Sequence, residues 1–139
     1  MKIPKNVLII YGVIFFLIFV LFKTCDIAVT KSNLSGKYVY NQSKNTFDSL
    51  FINNNGTYTQ KLYDKNKELI FENTDKWKFR DYTGVSFDNL LLNEDEQIYS
   101  ERKYGNNDLM HCTFNKEKSF GKVRLCVNYD LELYYNKVE

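Results

Sequence analysis

The chain has 139 residues, 19 basic and 17 acidic, for a formal net charge of +2; 17% of it is aromatic, and it has one histidine and three cysteines. That length holds one domain and an appendage. The near balance of charge argues against a nucleic-acid partner, and a single histidine excludes any site that needs two.

The first feature along the chain is Val7 to Phe22, VLIIYGVIFFLIFVLF, an uncharged run between Lys2 and Lys5 on one side and Lys23 on the other. Extended back to Ile3, with Pro4 in the first turn and the lysines reaching for headgroups, a helix here approaches the roughly 30 Å of a hydrocarbon core. This predicts one transmembrane helix within an anchor of residues 1–26. A cleaved secretory signal is a second reading, although the run is long for one and no small-x-small site follows in Leu21-Phe22-Lys23-Thr24-Cys25. A third makes Cys25 a lipidation site: it resembles the acceptor of a bacterial lipoprotein, but Lys23 and Thr24 stand where that box has small or aliphatic residues. The short basic tail before the helix is expected to stay in the cytoplasm. The protein is then a single-pass protein of the cell membrane with its C-terminal domain outside the cytoplasm.

Residues 27–36 read as a tether and residues 37–139 as one extracytoplasmic β-domain. With Lys2, Lys5, Lys23 and Asp26 set aside, the remaining charges balance. Period-two patterning punctuated by turn residues predicts strands at 37–40, 47–53, 57–63, 68–72, 76–80, 85–91, 97–103, 109–114, 122–128 and 131–138. Asn54-Asn55-Gly56 supplies the positive φ of a tight hairpin. Asn73-Thr74-Asp75 reads as another turn, and Asn93-Glu94-Asp95-Glu96 as an acidic loop without calcium-ligand spacing. In Lys122 to Asn128, Val123, Leu125 and Val127 mark the buried face; in the last strand Leu131, Leu133 and Tyr135 do so. The fold class is therefore all-β: an antiparallel meander of about nine strands, closed as a small barrel or folded as a sandwich, behind one transmembrane helix.

Leu34-Ser35-Gly36-Lys37-Tyr38, then Asn55-Gly56-Thr57-Tyr58 on a hairpin and Lys76-Trp77-Lys78 on a later strand, resemble the pattern of small lipocalin-like barrel domains of bacterial envelope proteins. Gly36-Lys37-Tyr38 departs from the Gly-x-Trp that opens lipocalins, leaving Tyr38 in the tryptophan's place. The resemblance implies a meander barrel with an interior able to take a lipophilic ligand.

No Cys-x-x-Cys, phosphate loop or nucleophile elbow is present. His111 and Cys112 are consecutive, so on a strand they point to opposite faces and cannot form a catalytic pair. His111 shares its face with Leu109 and Thr113, across from Leu125 and Val127, and is expected as a hydrogen-bonded core or pocket histidine. No catalytic residue, metal site or cofactor is expected. If the strands around Cys112 and Cys126 form a hairpin centred on Ser119, the two cysteines face each other; a disulfide is expected in an oxidising compartment, against two reduced thiols packed as apolar residues. The function expected is a membrane-anchored binding module for a lipophilic molecule or envelope component. The alternative is a protein-interaction domain of accessory, inhibitory or immunity type with no small-molecule ligand.

Overall fold

The computed structural model describes residues 5–24, 29–40, 46–81, 84–92, 104–119 and 121–139, with backbone alone at 5–8, 19–24 and 119. An N-terminal helix α1 (Lys5–Thr24) precedes eight strands: β1 (Gly36–Tyr40), β2 (Thr46–Ile52), β3 (Thr57–Asp64), β4 (Leu69–Arg80), β5 (Gly84–Leu91), β6 (Leu109–Ser119), β7 (Lys122–Asn128) and β8 (Leu133–Lys137). Each strand pairs antiparallel with the next, and β1 pairs with both β2 and β8, so the meander closes into a barrel. Closure removes the exposed sheet edges that an open sheet would carry.

Strand direction sorts the barrel into two ends. The tether end holds the start of β1, the β2–β3, β4–β5 and β6–β7 connections and the last residues of the chain. The far end holds the β1–β2, β3–β4, β5–β6 and β7–β8 connections. The tether end is plugged by a 3-10 turn at Lys31–Asn33 and by Leu34, which is fully buried. Tyr38, also fully buried, donates its hydroxyl to the Leu34 carbonyl at 2.8 Å. The predicted hairpin after β2 is present: Gly56 takes φ +86° and its N–H donates to the Asn53 carbonyl.

Alternation sends Tyr38 and Tyr40 of β1, Leu50 and Ile52 of β2 and Tyr58 and Leu62 of β3 inward. A run of ring contacts crosses the interior, from Tyr58 to Phe87 (5.2 Å), Phe87 to Phe114 (5.6 Å), Phe114 to Tyr135 (5.9 Å) and Tyr135 to Tyr40 (5.0 Å). Edge-on and offset rings fill volume with favourable quadrupole contacts.

Three expectations are corrected. Residues 73–75 make no turn: β4 runs unbroken through them because all of β3 needs a partner, and Thr74 hydrogen-bonds across the ladder to Thr59. Residues 115–119 belong to β6, not to a loop, so the β6–β7 turn is short, with Gly121 at φ +79°. The last strand starts at Leu133, and Leu131 is exposed in the turn before it. The barrel thus has eight strands among the described residues; the predicted strand 97–103 and loop 93–96 lie outside them. Among the described residues no helix is long and apolar enough to cross a membrane; the described side chains of α1 are those of Ile9–Ile18, about half the roughly 20 residues that a span requires.

Candidate functional site

Pairing of β4 with β5 stops at Trp77 opposite Phe87, while pairing of β4 with β3 continues up to Leu69 opposite Tyr63. Towards the far end, β4 and β5 therefore separate. Beside the parting β5 bulges, with Asn89 at φ +52° and its register to β6 shifting between Phe87 and Leu90.

Side chains take over there from the missing ladder. The Tyr58 hydroxyl donates to the Asp88 carbonyl at 2.6 Å, Asn73 Nδ2 to the Asn89 carbonyl at 2.5 Å and Gln60 Nε2 to the Leu91 carbonyl at 2.9 Å. The Leu91 N–H in turn donates to Gln60 Oε1 at 3.0 Å. The buried Leu91 backbone groups would be costly to leave unpaired, and Gln60 satisfies both.

Gln60 also links this seam to a buried acid. Its Nε2 lies 3.1 Å from Asp48 Oδ2 and 3.3 Å from Oδ1, and the Tyr135 hydroxyl donates to Asp48 Oδ2 at 2.5 Å. Asp48 and Gln60 are fully buried and Tyr135 nearly so. Burial pushes the Asp48 carboxyl up to about 7, against the lowering effect of the bonds from Tyr135 and Gln60. Burial and the neighbouring Asp48 hold the Tyr135 phenol well above its ordinary value. Alternation with Leu133 marks Tyr135 as inward in the sequence, but Asp48 is legible only through the parity it shares with Leu50 in β2, and their meeting needs the register to be read.

The second feature lies on the outer wall. Phe47 pairs across the ladder with Tyr63, and Lys37 with Phe51, its Nζ 5.6 Å from the Phe51 ring. With Ser49 and Lys67 they line an apolar groove of about 330 Å³, in which Phe47 is 52% exposed.

No family model, characterised protein or solved structure matches the chain. Site assignment therefore rests on geometry alone.

His111 is not a core or pocket residue. It shares its outward face with Thr113, is exposed, and its Nδ1 lies 2.8 Å from Asp88 Oδ1 on β5. Cys112, next to it, faces the interior. The expected Cys112–Cys126 disulfide is absent, and both side chains are buried thiols. Cys112 lies opposite Phe87 and Cys126 opposite Asn115, because Ser119 pairs with Lys122 and the hairpin is not centred on Ser119. That displacement is odd in register, so it puts the two thiols on opposite faces of the wall. Cys126 packs on the outer face beside Tyr129, Tyr134 and Glu117, where burial raises its thiol pKa. Cys25, the candidate lipidation site, lies outside the described residues. Among the described residues no three His, Cys, Asp or Glu side chains gather as a metal site would require.

Proposed function

We propose that the chain is a membrane-anchored, extracytoplasmic β-barrel binding module without catalytic chemistry, which takes a lipophilic envelope component, an anionic amphiphile, on its outer wall. The observation that carries this is the groove beside β2: an apolar floor of Phe47, Phe51 and Tyr63 suits an acyl chain, and Lys37 and Lys67 suit its acidic group. The described interior, crossed by ring-to-ring contacts, supports the outer wall over the barrel lumen as the place of recognition. The anchor reading rests on the uncharged run from Val7 to Phe22 in the sequence. Its described side chains, from Ile9 to Ile18, are all exposed, Phe15 at 74%. Apolar side chains displayed all round a helix suit lipid.

Native mass spectrometry of the full chain in neutral detergent, titrated with a long-chain fatty acid, tests the reading. One bound molecule is expected, with affinity lowered about tenfold by Phe47→Ser, the loss of one partly buried aromatic contact. Binding indifferent to Phe47→Ser would refute the groove. The filled interior also favours a second reading, a protein-interaction domain with no small-molecule ligand, and an empty monomer throughout the titration would select it.

A further inference from the structure

The balanced composition of the β-domain conceals an uneven distribution. Around the tether end stand Lys31, Lys78, Arg80, Lys118, Lys122 and Lys137, against Asp81 and Glu139; Glu117 is held by Arg124 at 2.8 Å. The far end carries Lys65 and Lys67, but also Glu68, Asp108, Asp130 and Glu132. Among the described residues the barrel is thus basic at one pole and acidic at the other.

Several of these cations are fixed in place. Lys137 pairs in register with the inward Tyr38 and donates from Nζ to the Asn33 carbonyl at 2.8 Å; desolvation lowers its pKa. With Asn33, Lys118 and Lys122 it lines a recess of about 370 Å³. Lys116 reaches from β6 to the Arg80 and Asp81 carbonyls, both at 2.8 Å, so its charge joins the same pole. Bonds to neutral carbonyls orient these ammonium groups without cancelling their charge.

The basic pole is also where the chain from α1 enters. Val29, buried in the barrel core, follows Thr24 by only five residues, a reach of at most about 18 Å. If α1 lies in a bilayer, this tether keeps the basic pole within roughly two Debye lengths of the surface at physiological salt.

We propose that the tether end of the barrel is a docking surface for the anionic lipid headgroups of the membrane that holds α1, so that the barrel sits pole-down and turns its acidic end outward. The inference rests on the proposed anchor. It differs from the groove reading in that it concerns many headgroups at one pole and not one bound amphiphile on the wall. Cations near an anionic surface each add a modest attraction, and the tether supplies the effective concentration.

The single tryptophan provides the readout. Trp77 lies at this pole, its Nε1 donating to the Asn53 carbonyl at 2.8 Å. The full chain is reconstituted into vesicles of phosphatidylcholine alone or with phosphatidylglycerol, each doped with a dansyl-headgroup lipid that accepts energy from Trp77. Flotation with the neutral vesicles tests the anchor separately; if it fails, salt-sensitive flotation with the anionic vesicles alone becomes the readout of the pole. Energy transfer is expected to be about twofold higher in anionic vesicles, and to fall to the neutral-vesicle level near 1 M salt, where the Debye length is about 3 Å. The double variant Lys78→Glu/Lys122→Glu should lose the difference, and Lys65→Glu at the opposite pole should keep it. Equal, salt-insensitive transfer from the wild-type chain in both vesicle types, with flotation intact, overturns the proposal without touching the anchor.

Discussion

The Tyr135 hydroxyl reaches past β1 to donate to Asp48 Oδ2 at 2.5 Å, joining β8 to β2 through the barrel interior. A carboxyl without solvent contact depends on such bonds, because moving its charge out of water is expensive. The pair therefore sets how the barrel responds to proton concentration.

Asp48 has a folded-state pKa of about 7, above the roughly 3.9 of an unfolded aspartate. Between those values the native state binds the extra proton. The contribution of this group to stability is complete below pH 4 and is lost as pH rises through 7. Urea denaturation at pH 5 and pH 8 should show the balance shifting towards Asp48→Asn by about 2–3 kcal/mol over that interval. A constant difference between variant and wild type across the two pH values would contradict the assignment.

Gln60 serves three groups at once, the Leu91 N–H, the Leu91 carbonyl and the Asp48 carboxyl. Gln60→Ala leaves all three short of a partner and should destabilise the domain by about 2–4 kcal/mol. Hydrogen exchange gives the specific signature: the Leu91 amide should lose protection more than amides of the β2–β3 ladder, where the backbone bonds remain.

How far these features were legible follows from what each required. The β class, the Asn54-Asn55-Gly56 hairpin and the inward row of β7 follow from local alternation and turn chemistry. The Asp48–Gln60–Tyr135 cluster joins residues as far as 87 positions apart, and no local pattern carries that information. Asn73-Thr74-Asp75 shows the opposite failure: turn-forming side chains sit inside a strand because Asn73 and Asp75 hydrogen-bond across the open seam, Asp75 Oδ2 accepting from Asn89 Nδ2 at 2.6 Å. Tertiary partners here overrule propensity. The cysteine register failed on the position of one turn, since a shift of odd length exchanges the two faces.

Gly84 opens β5 at φ +106°, and a Cβ built there would lie 1.9 Å from the Phe114 carbonyl oxygen. The contact is with backbone of the paired strand β6, which has nowhere to move. Gly84→Ala should cost more than about 3 kcal/mol, from clash and left-handed backbone strain together. A thermal unfolding midpoint within a few degrees of wild type would contradict the close β5–β6 approach.

The register between β6 and β7 admits a constructive test. Asn115 lies directly opposite Cys126, with Asn115 exposed on the outer face. Opposed residues on one face hold their Cβ atoms about 4.5–5.5 Å apart, a distance that modest twist brings to disulfide range. Asn115→Cys should therefore oxidise with Cys126, giving a mass lower by two hydrogens, while Cys112 still takes one alkylating group after unfolding. Because the closed loop is short, the stabilisation should stay below about 3 kcal/mol, reduced by any cross-strand strain. Under the same oxidant the wild-type chain should form no bridge between Cys112 and Cys126, since one thiol faces the core and the other the outer wall. A Cys112–Cys126 bridge in either protein would move the turn back towards Ser119 and overturn the register from β6 through β7.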